Sequence, residues 1–353
     1  AEMLERARAG GRYVNIDHVM IIPHAATVVR GDELNEIDQT FITAHLRVPG
    51  PRDHKYARGV PMLATGSPTY PGAAVLGVGG ALSVGPGMVR FSGAARCEDL
   101  VISSFPEAVL GGGRFDAALI GSGWDSSMAS YVEVVARECA DAGRPLIVDA
   151  GALRGAREWA ERNPLIVATP HAGEASEMFS QFGEERARVE VDADIEDAAV
   201  RLSYLANCVM VVKGATTCVA TPDGASYCFR APAAWGATAG AGDVLAGMIC
   251  AMVSQVQAAA AREGAPLRGG DLAGPVACAV GLHGLGAATA AGVLTASLEV
   301  GRGLGHPIVA SEIAGGVRNV FSHLLLKGLE ACTLHPPSYP RSSTEPLGSS
   351  SSR

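Results

Sequence analysis

Apolar residues in the middle of this chain come in short, nearly unbroken runs. Residues 60–65, 117–120, 145–149 and 165–168 are almost wholly apolar and end in loops that hold Gly, His, Asp or Thr. A strand with one wet face would alternate polar and apolar positions, so these runs predict strands covered on both faces. Between them, residues 73–84 form a small-residue helix candidate, and residues 128–142 carry helical spacing that Gly143 stops. The alternation predicts an α/β fold: a mostly parallel central sheet flanked by helices on both faces, with a ligand crevice at the strands' carboxyl ends.

Three short β runs follow at residues 208–212, 218–221 and 225–229, the last two joined by Pro222-Asp223-Gly224, a hairpin turn. Helical patterns then cover residues 244–256, 275–290 and 308–326. Residues 1–39 are polar and mixed apart from Val19-Met20-Ile21-Ile22, and are taken as an N-terminal extension or linker remnant. Residues 40–330 are expected to form the one main domain. Residues 331–353, rich in Ser and Pro, are expected to form a disordered tail.

Composition narrows the function classes. With 353 residues, 48% of them hydrophobic, the chain can bury a sizeable core. A net charge of −8, no Lys/Arg-rich run and 5% aromatic residues argue against a nucleic-acid surface. No uninterrupted apolar run reaches membrane-spanning length, and no membrane association is expected. The first residues lack the basic-then-apolar pattern of a secretory signal, so a cytoplasmic location is expected. None of the eight cysteines forms a CxxC pair and most lie in apolar segments, so they are read as reduced core residues.

The candidate chemistry centres on Gly240-Ala241-Gly242-Asp243, where a small-residue loop enters an apolar helix. The first turn of a helix leaves N–H groups unpaired at its positive end, and glycine lets an anion approach them. A carboxylate there repels phosphate and needs a task. Asp243 is therefore the candidate base that takes a proton from a hydroxyl attacking phosphorus. Taken alone, the same residues also fit an ordinary helix cap.

Other segments sit at strand ends. They are Gly66-Ser67-Pro68-Thr69-Tyr70-Pro71-Gly72-Ala73-Ala74, Gly121-Ser122-Gly123, Thr169-Pro170-His171-Ala172-Gly173-Glu174 and Lys213-Gly214-Ala215-Thr216-Thr217. Leu282-His283-Gly284 follows later. Together with Gly240–Asp243, and in this order, they resemble the motifs of the ADP/ATP-dependent (S)-NAD(P)H-hydrate dehydratases, of ribokinase-like fold, over about residues 45–330. Two departures stand out. Trp235 lies where the family runs asparagine-proline-glycine, and Ala241 replaces a serine.

The resemblance implies repair of hydrated NADH and NADPH, coupled to hydrolysis of ADP or ATP. It casts Asp243 as the catalytic base, with Ala73, Gly123, His171 and Asp243 contacting the hydrated cofactor. Lys213, Gly214, Ala215, Thr216, Thr217 and Gly242 would bind the nucleotide, and Gly240, Ala241 and Gly242 would hold the transferring phosphoryl group. It further implies Mg²⁺ on the nucleotide, an NAD(P)H-hydrate epimerase as functional partner, and a homo-oligomer; no dedicated metal cage is legible in the sequence. Blander readings stay open. His171 can be a loop residue bonded to backbone, Lys213 a solvated strand end, Glu174 a helix cap, and Asp149 a cap or an orienting group. Two rival functions remain: a small-molecule kinase of the same superfamily, and a nucleotide-binding protein without catalysis.

Overall fold

The computed structural model describes residues 39–334, apart from 126, 127 and 302, and four short strands ahead of them. Eleven strands form one sheet. From one edge the order is Glu33–Ile37, Ala26–Arg30, Ser226–Arg230, Thr216–Ala220, Val209–Val212, Ile166–Ala168, Leu146–Val148, Ala117–Ile120, Pro61–Ala64, Arg90–Phe91 and Val109–Leu110. Pairings are parallel from Val209–Val212 to Val109–Leu110, and antiparallel on the other side. The strand runs read from the sequence are all present, within a residue or two at each end. Two strands of the N-terminal extension continue the sheet beyond Ser226–Arg230. The serine-rich tail expected from residue 331 lies mostly outside the described residues.

The central strands are buried on both faces, and their side chains divide by alternation. Leu63, Leu119, Ile147, Val167 and Val211 face one core, which the helices Gly72–Ser83, Ala241–Glu263, Ala273–Ala290 and Ala310–Leu334 cover. Met62, Ala118, Ile120, Leu146, Val148, Ile166 and Met210 face the other, under the helices Ala129–Asp141, Ala156–Arg162, Ala172–Gln181 and Ile195–Ala206. Two helical segments, Ala241–Glu263 and Gly269–Ala290, are long and apolar enough to cross a membrane, yet 83% and 78% of their apolar windows lie buried. Their apolarity belongs to the protein core. The helix Ala241–Glu263 crosses Gly72–Ser83 backbone to backbone. A Cβ on Gly247 would stand 2.0 Å from the Gly77 carbonyl oxygen.

The cysteines need one correction. Among the described residues five are free and buried, but Cys218 and Cys228 form a disulfide. They sit directly opposite each other on antiparallel neighbours, with Cα atoms 4.1 Å apart. Sequence spacing alone did not show that pairing, because register is set by the Pro222-Asp223-Gly224 turn.

Candidate active site

The four segments read as strand-end loops all leave the same, carboxyl end of the parallel strands. The segment after Pro61–Ala64 meets the one after Ala117–Ile120, where Gly66 N–H donates to the Ser122 carbonyl at 2.7 Å. Gly123 takes φ +64°, and a Cβ there would stand 2.3 Å from the Ala73 Cβ. Gly123 and Ala73 therefore touch, and only glycine fits that turn. The loop after Ile166–Ala168 pairs with the loop after Val209–Val212 through a parallel bridge of His171 with Lys213.

His171 caps the helix Ala172–Gln181. Its Nδ1 accepts the Glu174 N–H at 3.1 Å, and the Glu174 carboxylate accepts the His171 N–H at 2.8 Å. This is a capping box, with histidine in the place of serine. Both backbone-bonded readings of the pair are thus present. The acceptor role of Nδ1 places the ring proton on Nε2, on a side chain that is mostly exposed.

At the centre lies Asp149, 3% exposed. Its carboxylate accepts from Ser122 Oγ at 2.8 Å, Thr169 Oγ1 at 2.7 Å and Lys213 Nζ at 2.7 Å. Lys213 is thus a partly buried, paired ammonium and not a solvated strand end. Burial opposes ionisation of Asp149, but the Lys213 ammonium and the two hydroxyls outweigh it and hold the carboxyl below the usual range. Burial likewise opposes the charge on Lys213, and Asp149, Glu174 and Asp243 overcome it and raise its pKa. Asp149, Ser122 and Thr169 were not among the site residues chosen from the sequence. The available signal was a lone Asp closing an apolar strand run.

The anion loop starts at Gly240, whose φ of +90° lets the chain enter the helix Ala241–Glu263. Ala241 N–H bonds back to the Thr238 carbonyl at 3.2 Å, and Val244 N–H to the Gly240 carbonyl at 3.1 Å. The N–H groups of Gly242 and Asp243 have no acceptor among the described residues. The Gly240 N–H likewise has no acceptor among the described residues, so of the three loop amides expected from the sequence only that of Ala241 is taken, and Asp243 adds one. A Cβ on Gly242 would lie 3.6 Å from Lys213 Nζ, so the ammonium stands over that first turn. His283 Nε2 lies 3.0 Å from the Ala241 carbonyl oxygen. Burial pushes His283 down to about 4, so the neutral ring donates its Nε2–H and braces the loop from behind.

Asp243 opens the same helix. Burial pushes its carboxyl up to about 6, the Asp149 charge adds to the rise, and Lys213 works against it. A carboxylate poised near neutrality beside free amides is suited to accept a proton during phosphoryl transfer. Gly214 and Ala215 are exposed, and the Thr217 hydroxyl folds back onto Gly214. The hydroxyl of Thr65, just after Pro61–Ala64, is buried without a partner among the described residues. Trp235 donates Nε1–H to the Leu304 carbonyl at 2.6 Å, tying the approach to the anion loop to the stretch before the last helix.

Among the described residues no group of three or more His, Cys, Asp or Glu could hold a metal ion. The Asp149 oxygens are already taken by two hydroxyls and an ammonium. The described residues do not fit a protein-built metal cage.

Comparison with known proteins settles the family. The model of the NAD(P)H-hydrate dehydratases matches residues 62–298. The chain belongs to the NAD(P)H-hydrate dehydratase family. It is 35% identical over 254 residues to the bifunctional NAD(P)H-hydrate repair enzyme Nnr of Mycobacterium tuberculosis (strain ATCC 25618 / H37Rv), covering 69% of this chain and 50% of that one. It is 34% identical over 240 residues to the ADP-dependent (S)-NAD(P)H-hydrate dehydratase of Xanthomonas campestris pv. campestris, covering 62% of this chain and 81% of the relative. The Bacillus subtilis ADP/ATP-dependent NAD(P)H-hydrate dehydratase, co-crystallised with ATP/Mg²⁺, superposes with a TM-score of 0.65 at 26% identity, over 81% of this chain and 97% of that one. The fold is the ribokinase-like one. The chain spans about half the length of the Nnr relatives it matches first.

Proposed function

We propose that this member of the family dehydrates the S form of hydrated NADH and NADPH, coupled to hydrolysis of ADP or ATP. The observation that carries the reading is Asp243, a carboxyl pushed up to about 6 at the mouth of a helix whose Gly242 and Asp243 amides are free. The Asp243 carboxylate takes the proton of the ring hydroxyl as that oxygen attacks the terminal phosphorus of the nucleotide. The new O–P bond forms as the bond to the nucleotide leaving group breaks. The C–O bond then breaks with electrons supplied by the ring nitrogen, phosphate leaves with the C–O electron pair, and it takes up the proton that the neighbouring ring carbon loses as the ring double bond forms.

The amides of Gly240, Gly242 and Asp243 receive the charge that builds on the phosphoryl oxygens. Lys213 adds a positive charge that Asp149 fixes in place. The exposed backbone of Gly214 to Thr217 receives the nucleotide, and Ala73, Gly123 and His171 face the hydrated cofactor. Mg²⁺, carried on the nucleotide phosphates, would neutralise their charge. The mycobacterial relative is named bifunctional, and the chain covers half of it. This supports an epimerase of the hydrated cofactor as functional partner. We further take the enzyme to be cytoplasmic and homo-oligomeric.

The test is an absorbance assay. Purified chain is mixed with hydrated NADH and Mg²⁺, with ADP and ATP in separate cuvettes. Return of the near-ultraviolet band of NADH in either cuvette is the expected result, and it names the nucleotide. No recovery in either, with nucleotide binding intact, overturns the reading in favour of a kinase for another substrate or a binding protein.

A further inference from the structure

The parallel strands have a second end. Arg58 precedes the strand Pro61–Ala64, whereas Gly66 follows it into the active site. Gln255 and Arg262 lie near the far end of the helix that begins with the anion loop. From Gly242 to Arg262 that helix spans about 30 Å. At this far end lies a cavity of about 440 Å³, whose wall includes Arg47, Arg58, Arg262, Asp53, His45 and Val256.

The charges in the cavity do not balance. Arg262 Nη1 pairs with Asp53 Oδ1 at 3.0 Å, and the other Asp53 oxygen accepts the Gly50 N–H at 2.9 Å. That pair is neutral and internally satisfied. No carboxylate among the described residues stands within ion-pair distance of Arg47 or Arg58. Arg58 is also held in place: its Nη2–H donates to the Gly85 carbonyl at 2.9 Å, just past the helix Gly72–Ser83. Its Nε–H is buried and has no hydrogen-bond partner among the described residues. Solitary surface arginines usually bond to water and mean nothing. Here two guanidiniums without a carboxylate partner share one cavity on a chain of net charge −8, and one of them is fixed in place by the Gly85 carbonyl.

We propose that this cavity is a second ligand site, taking a small phosphate monoester held by Arg47 and Arg58. Two guanidiniums match the two charges of a phosphate monoester and offer paired donors to its oxygens. Val256, Val48 and Pro275 in the wall give its organic body an apolar surface, and the volume is in the range of small-molecule sites. The site is independent of the dehydratase reading.

The test is calorimetric titration of the full chain with ribose 5-phosphate, with ADP and Mg²⁺ saturating so that the anion loop is already filled. Saturable binding is expected. Arg47→Gln and Arg58→Gln should each weaken it by about tenfold or more, the scale of one lost charge-assisted contact, while Lys213→Gln should leave it in place. Arg58 also holds Gly85, so Arg58→Gln can disturb the fold; Arg47 is exposed and keeps the test decisive. Absence of saturable binding, equal binding of ribose itself, or loss of binding in Lys213→Gln in place of Arg47→Gln would each overturn the proposal.

Discussion

Lys213 Nζ stands 2.7 Å from Asp149 Oδ1, and from that position it lies 3.6 Å from where a Cβ on Gly242 would stand, over the first turn of the anion-loop helix. The two residues come from strands that are separated in the sheet by Ile166–Ala168. The pair therefore fixes the ammonium across the crevice. It also sets the field felt by Asp243, since Asp149 raises and Lys213 lowers the pKa of that carboxyl.

Asp149→Asn tests this directly. The amide keeps one acceptor oxygen where three donors converge, and it leaves a half-buried ammonium without its carboxylate. Breaking a buried pair from one side costs about 3–5 kcal/mol. Urea denaturation at pH 7.5 should show a loss of that order. A loss under about 1 kcal/mol would show that the pair is solvent-screened and that Asp149 does not organise the site.

Asp243→Asn should keep nucleotide affinity and lower turnover by about 10²–10⁴-fold, because the amide cannot take the proton. In the unaltered protein, the ionised form is the active one. Turnover should therefore rise with pH through a midpoint near 6 and level off above it. A pH–rate profile that is flat from pH 5 to pH 8 would remove Asp243 from the base role.

Two glycines separate space for a ligand from space for the chain. A Cβ at Gly242 would be in ordinary contact with Lys213 Nζ, at 3.6 Å, and the position is helical. Gly242→Ala should leave stability unchanged or raise it by up to about 1 kcal/mol, while blocking the approach of phosphate and cutting turnover. Gly123→Ala faces φ +64° and the Ala73 Cβ at 2.3 Å, and should cost more than about 2 kcal/mol. Thermal melts beside turnover measurements separate the two. Equal stability effects would contradict the assignment.

The parallel core was legible because strands buried on both faces leave unbroken apolar runs, as at Ala117–Ile120 and Leu146–Val148. The anion loop was legible because Gly240 and Gly242 are short-range signals. Asp149 was legible at a strand end as a cap or an orienting group, but the choice was not, since its partners Ser122, Thr169 and Lys213 lie 27, 20 and 64 residues away. The disulfide was missed for a similar reason, as it depends on the register of a hairpin. His283 was visible as a motif, but its contact with the Ala241 carbonyl depends on how two helices pack.

The disulfide closes a sequence separation of 10 residues. Loop-closure entropy for such a span corresponds to about 2–3 kcal/mol. Replacing both Cys218 and Cys228 by Ser should lower the stability of the oxidised protein by up to that amount. The reducing agent dithiothreitol should then change the unfolding midpoint of the unaltered chain and not of the variant. Identical midpoints for the oxidised chain and the variant would show that the strand ladder alone already holds the hairpin.

Asp243 and His283 bracket the anion loop and pull stability in opposite directions with pH. The Asp243 carboxyl is raised from 3.8 to about 6, so the folded state holds its proton more tightly than the unfolded chain. Its contribution is fully present below pH 3.8 and is lost as pH rises through 6. His283 is lowered from 6.5 to about 4, so its contribution is present above pH 6.5 and is lost as pH falls through 4. Each shift corresponds to about 3 kcal/mol, at 1.36 kcal/mol per pKa unit. Between pH 4 and pH 6 the two slopes offset each other. In Asp243→Asn only the histidine slope remains, so its stability relative to the unaltered protein should be raised at pH 7.5 and the gain should vanish toward pH 4. In His283→Gln the difference should run the other way, with the variant gaining relative stability on acidification. Urea midpoints at four pH values across this range check both. Parallel curves for all three proteins would mean that neither group is held in the ionisation state that the burial of the loop implies.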